Sequence, residues 1–598
     1  MPNQHARTSV PHPAASHRRV GSVRLVRVAV ALVVLVLAAG AGPADPLFRL
    51  VPPESGVILA VEDLRGGAKR VETSSLDDDL KQLPLVASWL NSDRFQRFER
   101  ATGQVELALG LPIRTILDEV LGDAFVLALQ SARDGTVDQS SGLVLIRPRQ
   151  RKLLQQFMET RNTAQTRRGG LVRVDVRRHG ATSYQSRLFN PGARPSDHYV
   201  FLDDGTFAWS NSEAIIRDVI DRQAGGRVGW DTSPTFARLR LGLPEHALAS
   251  LFVTPNVLTQ VLTTNRPVSS PARRYFNQVA TTYIKAVGGT GFALEWWDGL
   301  VLHSHDLLDP RKLPPWMASW MGRPSRPSPL LGTLSTAPFG VISGRFDFAA
   351  ALRAIRLLVE PADRIAWESA EQAARGLALG QNLDDLLAQV EPHFLITLEP
   401  RSGPELRSWV TLVGGITWLG AGRAEAPPWV AVDNAFRTAM AMLAVRPYRR
   451  AASFQVETRP INGRPVTELG PPDRSVLAYQ SLPDRFVVSN SAEAIGQFAA
   501  SADAATITSP LAALREKYAA NLETFAVFDL PRLTDAVVRS RKMIVRDLAN
   551  RSERPPAEVD RDLSQFLALA NLFQAAVLTS NANRDATEVH RTIGLIAR

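Results

Sequence analysis

Short apolar runs and three- to four-residue apolar periodicities alternate along this chain, and they do so twice in the same order. Gly56-Val57-Ile58-Leu59-Ala60-Val61 reads as a short buried strand. Leu85, Val86, Trp89 and Leu90, then Ile113, Ile116, Leu117 and Val120, recur at helical spacing. Phe125–Leu129 and Leu143–Ile146 are two further strands, followed by a helix near 151–162. Hairpins then lead through Tyr199-Val200-Phe201 and Phe207-Ala208-Trp209 into a helix carrying Ile215, Ile216, Val219 and Ile220. Leu251-Phe252-Val253 and two strands around 290–308 close the series. The second pass opens at Gly340-Val341-Ile342, running on to Phe346-Asp347-Phe348. It continues with Phe394–Leu398, Trp409–Val413, a helix near 431–445, Phe486-Val487-Val488, Phe525–Phe528 and strands within 574–596.

The strongest sign of repetition is verbal. Ser210-Asn211-Ser212-Glu213-Ala214-Ile215 recurs as Ser489-Asn490-Ser491-Ala492-Glu493-Ala494-Ile495, with one residue inserted. Each copy is followed by a Ser-Pro pair, Ser233-Pro234 or Ser509-Pro510, then an apolar strand, a proline and Leu258-Thr259 or Leu533-Thr534. Conserved order and spacing predict a tandem duplication. The expected fold is α+β: two homologous units, each a mostly antiparallel sheet with helices packed on it. The boundaries read as a basic tail over 1–27, a signal or anchor over 28–47, repeat one over 48–310, a linker over 311–332 and repeat two over 333–598. Pro310, Pro314, Pro315, Pro324, Pro327 and Pro329 mark the linker, because prolines at that density break helix and sheet. Trp316 and Trp320 within it are expected to plug the interface between the units.

The residues shared by both copies are those a fold needs. Ser210-x-x-Glu213 and Asn490-x-x-Glu493 read as helix-capping devices rather than as a hydroxyl nucleophile. Ser233-Pro234 and Ser509-Pro510 read as an N-cap with proline in the first helical turn. Asp203-Asp204-Gly205 and Pro483-Asp484-Arg485 are hairpin turns, and Asp77-Asp78-Asp79 opens a helix. Gly288-Gly289-Thr290-Gly291 is a turn before a strand and lacks the lysine of a phosphate loop. His303-x-His305-Asp306 is the sharpest metal-like feature, since i and i+2 on a strand share a face. Aligning Trp297-Asp298-Gly299 with Arg584-Asp585-Ala586 places His303 opposite His590 and His305 opposite Thr592, so the pair is half lost in the second copy. No third ligand suggests itself. His303 and His305 are therefore weak metal candidates, and no catalytic or cofactor-binding residue is assigned.

Charge and the N-terminus add a location. The first 27 residues hold five arginines and no acid, so the remaining 64 basic and 59 acidic residues account for only half of the +10 net charge. That balance is a poor match to a nucleic-acid partner. Val28–Ala41 is a fourteen-residue apolar run after Arg27, extendable to Ala44. It reads as an export signal retained as a membrane anchor, with the body outside the cytoplasm; the alternative is cleavage at Ala39-Gly40-Ala41 and release. The chain has no cysteine, which excludes disulfides, thiol chemistry and Cys-ligated metals.

The layout resembles large exported bacterial proteins of unknown function with an N-terminal membrane segment. The residues that carry the likeness are the opening Pro53-Glu54-Ser55-Gly56-Val57-Ile58 and the step Leu121-Gly122-Asp123-Ala124-Phe125. The group lends no activity and no functional residue. The sequence thus favours a membrane-tethered binding or scaffold protein of the cell envelope, with an envelope protein partner and no cofactor. An envelope hydrolase with a site between the repeats, or a carrier of an apolar ligand, are the competing readings.

Overall fold

The computed structural model describes residues 45–61, 96, 103, 106–107, 110–112, 115, 119–120, 124–130, 141–191, 195–245, 247–258, 271–297, 299–321, 330, 338–359, 361–400, 410–419, 427–445, 455–470, 476–500, 510–519, 522, 524–583, 585 and 587–597. Residues 28–44 of the expected signal or anchor, the periodic residues Leu85, Val86, Trp89, Leu90, Ile113, Ile116 and Leu117, the acidic run Asp77–Asp79 and Ser509 lie outside the described residues.

The fold is α+β, with one large antiparallel sheet and helices packed on it. The strands of the first half are β1 (Val57–Val61), β2 (Ala124–Gln130), β3 (Ser141–Arg147), β4 (Leu171–His179), β5 (Thr182–Phe189), β6 (Asp197–Phe201), β7 (Phe207–Ser210), β8 (Ala249–Val253), β9 (Val287–Trp297) and β10 (Gly299–Leu308). Those of the second are β11 (Gly340–Arg345), β12 (Val390–Pro400), β13 (Val410–Trp418), β14 (Gln455–Ile461), β15 (Arg464–Gly470), β16 (Leu477–Ser481), β17 (Arg485–Ser489), β18 (Thr524–Asp529), β19 (Phe573–Ala582) and β20 (Glu588–Ala597).

Pairing runs β4-β5-β6-β7-β3-β2-β1-β8-β9-β10 in the first half. It runs β14-β15-β16-β17-β13-β12-β11-β18-β19-β20 in the second. The last strand of each, β10 and β20, pair with each other, so the ladder crosses all 20 strands without a break. Apolar alternation put strands in both halves; only the ladder shows that they meet edge to edge.

One line of paired residues makes the correspondence measurable. From Ser210 it passes Leu143, Ala128, Ile58, Phe252 and Gly291 to His305. From Ser489 it passes Val413, Thr397, Val341, Val527 and Val577 to Gly594. Both lines are buried throughout; the Arg151–Arg167 and Pro428–Val445 helices pack on the opposite face, so the sheet carries helices on both sides. Leu143, Ala128, Ile58 and Phe252 belong to the core of the first half, Val413, Val341, Val527 and Val577 to that of the second. A third cluster spans the seam: Trp316, Met317, Leu308, Leu313 and Ala286 pack with Ala350, Ala354 and Val589. Trp316 therefore fills the place expected of it, while the Trp320 side chain lies outside the described residues.

Four local expectations change. Gly288–Gly291 is not a turn but the start of β9. Its missing side chains let the Pro234–Leu241 helix lie close, since a Cβ at Gly289 would press on Thr235 and one at Gly291 on Leu243. The proline-rich segment contains a short helix, Pro315–Met321, because prolines in a first turn lose no hydrogen bond. Phe346-Asp347-Phe348 ends the strand and starts a helix, with Asp347 capping the Ala350 amide at 2.8 Å.

The Ser-Asn-Ser elements do not cap through Ser210 and Asn490 as the spacing predicts, and only the second has a side-chain cap, at Ser491. The Glu213–Gln223 helix has no side-chain cap at Ser212, and the helix after Ser233 has none either, although Pro234 opens it as expected. Asn211 instead accepts the Gly142 amide at 2.8 Å, and Asn490 accepts the Leu412 amide at 2.9 Å. Each asparagine clasps the start of the neighbouring strand, where a ladder has run out of backbone partners. Ser210 and Ser489 close the turn by accepting the amides of Ser212 and Ser491, both at 3.0 Å. In the second copy alone, Ser491 also accepts the Ala494 amide, at 3.4 Å.

Candidate functional site

The most concentrated chemistry among the described residues lies where β10 meets β20. Antiparallel register sets His305 opposite His590, Ser304 opposite Arg591, and Leu307 opposite Glu588. Because side chains alternate between faces, this seam carries two polar clusters, one on each side of the sheet.

On one face, Asp306 is buried and fully engaged. It accepts from Thr290 at 2.7 Å, from Tyr283 at 2.7 Å and from Arg591 across the seam. Arg591 also donates to the Tyr283 hydroxyl at 2.7 Å and lies over its ring. Burial, then the Asp306 charge, push the Tyr283 hydroxyl far above the usual tyrosine range. Every polar group here has a partner, so this network is a fastener between the two halves.

On the other face lie His303, His305, His590 and Glu588. His303 and His305 share that face, as their spacing predicts, but they do not converge. The Nε2 of His303 lies 3.1 Å from Glu295 and its Nδ1 3.4 Å from the Thr592 hydroxyl. His305 is 1% exposed, and its ring stacks on His590 with centroids 4.1 Å apart. Its Nδ1 donates to the Leu239 carbonyl at 3.3 Å. Burial, then the neighbouring His590, push its pKa below the ordinary histidine value. Gly242 ends the Pro234–Leu241 helix directly over this ring, and any Cβ there would collide with Nδ1. Glu588 accepts from Arg238 at 2.9 Å, the main cause of its lowered pKa.

The third partner that spacing could not suggest is therefore supplied from a distance. His305, Glu588 and His590 hold one ligand atom each within 4.8 Å of one another. The alignment of His303 with His590 is also corrected: counted by rungs, His303 corresponds to Thr592 and His305 to Gly594. The first half contributes its histidine and the second contributes Glu588 and His590 two residues apart. A His-x-Glu pattern read backwards on β20 was the available signal, and it had no meaning without the β10 register.

The remaining candidates take structural roles. Ser210 donates to the Gly142 carbonyl at 2.7 Å, so its hydroxyl proton is taken up by the backbone, although His198 stands opposite it on β6. Asp204 turns the β6–β7 hairpin, accepting the Thr206 amide at 3.0 Å and pairing with Arg49 at 3.1 Å, while Gly205 supplies the positive φ. Glu213 is the most strongly perturbed carboxylate away from the seam. It accepts from Tyr184, from Arg177 at 2.6 Å and from Arg217 at 2.7 Å. The Tyr184 hydrogen bond leads in holding its pKa down at about 2, with the two arginines adding to it against the opposing effect of burial.

No protein-family model matches the chain, and no curated protein matches it significantly. A solved structure, crystal form IV of TP0453, is similar over 44% of this chain and 79% of its own, at 9% identity and a TM-score of 0.23. A likeness that low carries no argument about fold or function. Among the described residues no helix is long and apolar enough to cross a membrane.

Proposed function

We propose that this chain is an exported, membrane-tethered binding or scaffold protein of the cell envelope. It would consist of two homologous units, 48–310 and 333–598, that arose by tandem duplication and share one sheet. Residues 28–44 would hold it in the membrane with the body outside the cytoplasm. The matched lines from Ser210 to His305 and from Ser489 to Gly594 support the duplication.

The observation that carries the binding reading is an uncovered apolar stripe over the seam. Leu302, Ile593 and Leu578 are direct neighbours on three consecutive strands, and each is between a third and a half exposed. Apolar side chains set side by side on an open sheet face are what a protein surface presents to a partner. The test is cross-linking in intact envelopes followed by purification of the full chain. Replacing Leu302→Asp and Ile593→Asp together should reduce the recovered partner at least tenfold while circular dichroism and Tm stay unchanged. Equal recovery from the variant would remove the stripe from the argument. Protease added to intact spheroplasts should digest the body; complete protection would refute the location.

One feature favours the carrier reading. The helices Leu530–Arg539, Arg541–Ser552 and Pro556–Ala570 enclose a cleft of about 340 Å³ lined by Leu533, Val537, Ile544, Leu548, Leu563 and Phe566. That volume is at the small end of ligand sites. Native mass spectrometry of the chain taken from membranes should show a bound apolar molecule if this reading holds. The hydrolase reading would have to use the seam cluster of His305, Glu588 and His590.

A further inference from the structure

We infer that His305, Glu588 and His590 form a binding site for one divalent transition-metal ion of the zinc class, bridging the two halves of the sheet.

The argument starts from the proton on His305. Its Nδ1 faces the Leu239 carbonyl, which can only accept, so the ring proton sits on Nδ1. Nε2 is then left with a lone pair. That atom is buried and has no hydrogen-bond partner. It lies 3.9 Å from the Oε2 of Glu588, a centre of negative charge. The lone pair and the carboxylate repel, and the buried Nε2 left without a partner is costly. A cation between them removes both penalties.

The surroundings fit such an ion. A ligating histidine characteristically donates its other ring nitrogen to a carbonyl, which fixes the tautomer and aims the lone pair; Leu239 does this for His305. A ligating carboxylate is in turn held by a hydrogen bond; Arg238 takes Oε1 of Glu588 and leaves Oε2 toward the site. His590 brings a second imidazole within reach; its ring now stacks on His305, 15° from parallel, and would have to turn out of that stack to aim a lone pair at the ion. Two imidazoles and one carboxylate are a zinc-type donor set, whereas calcium and magnesium ask for oxygen donors throughout. Tetrahedral zinc would draw the three ligand atoms to roughly 3.3 Å of one another, given bonds near 2 Å. The partly exposed His590 and Glu588 can close that gap by side-chain rotation while His305 stays fixed. Three protein ligands leave a fourth position for water or another donor. The packing of Gly242 against the His305 ring supports the same conclusion: a helix end that admits no side chain holds one imidazole in place.

The site would act as a bolt. One ligand comes from β10 and two from β20, and the ion would join strands that no short connection links.

The test uses the full-length, untagged chain with zinc alone, and cobalt as its spectroscopic substitute. Metal-free protein should take up one equivalent of zinc in equilibrium dialysis, show intense visible cobalt bands of low coordination number, and gain Tm on zinc addition. His590→Ala and Glu588→Gln should each weaken uptake at least tenfold and abolish the cobalt bands. Both side chains are partly exposed, so these variants should fold, as circular dichroism would verify. His303→Ala should bind zinc within about twofold of the parent, because His303 is engaged with Glu295 and Thr592. Absence of saturable one-equivalent uptake would overturn the proposal and leave a proton between His305 and Glu588. Uptake surviving both His590→Ala and Glu588→Gln would also overturn it, placing the metal on other histidines. Neither failure bears on the apolar stripe, which is read out by partner recovery.

Discussion

The three-rung ladder between β5 and β6 and its counterpart between β15 and β16 solve the same packing problem with opposite chemistry. In the first half the rungs are Gln185–Tyr199, Ser186–His198 and Arg187–Asp197. In the second they are Thr467–Tyr479, Glu468–Ala478 and Leu469–Leu477. The tyrosines match, and both are buried. The last rung does not match: a fully buried guanidinium paired with Asp197 at 3.2 Å stands where the other half has two leucines. Arg187 also donates to Gln165 and lies over the Phe189 ring. Desolvating two charges costs several kcal/mol each, and their attraction roughly repays it, so a buried pair and an apolar pair can be near equivalent. What the position requires is filled space without an unmatched charge.

That comparison can be broken directly. Asp197→Ala leaves Arg187 buried without its counter-charge and should cost about 3–5 kcal/mol in denaturant unfolding. Arg187→Leu with Asp197→Leu, the second half's own solution, should recover most of that loss and lie within about 1 kcal/mol of the parent or above it. A double variant as unstable as Asp197→Ala would show that the first half depends on the charges themselves.

A smaller effect separates Glu213 from Glu493. Both pair with an arginine at the same ladder position, Arg177 at 2.6 Å and Arg459 at 2.7 Å. Glu213 is three-quarters covered and also accepts from Tyr184 and Arg217, whereas Glu493 is 64% exposed and shares Arg459 with Glu468. A carboxyl held at about 2 instead of 4.5 stabilises the fold fully above pH 4.5 and loses that contribution as pH falls toward 2. Glu213→Gln should therefore flatten the fall in Tm between pH 4.5 and 2. Glu493→Gln should change it less, because its exposed pair is screened by solvent. Equal flattening by the two variants would contradict the stated difference in burial.

The smallest expected effect sharpens the likeness. Asn211→Ala and Asn490→Ala each release a strand-end amide and should cost about 1 kcal/mol. The two losses should agree, since the clasps measure 2.8 and 2.9 Å. A loss confined to one half would mean that the repeated tripeptide does different work in each copy.

Much of the architecture was readable along the chain. Period-two and period-3.6 apolar patterns placed the strands and helices, because burial of one face is a local property of sequence. Trp316 at the seam and the Asp203–Gly205 turn followed from side-chain size and turn chemistry. The Ser-Asn-Ser motif was visible, but its purpose was not: Asn211 and Asn490 act on strands 69 and 78 residues away, which no capping rule contains. His303 and His305 were singled out by their spacing and share a face, but their contacts keep them apart, one at Glu295 and the other at Leu239. The site that formed instead joins residues nearly 300 positions apart. Sequence by itself determined which residues want burial, which segments pair with a near neighbour and that one pattern occurs twice. Only tertiary structure decided that β10 and β20 share an edge. Strand register is set by the whole buried face, and it alone brings His305 to Glu588 and His590.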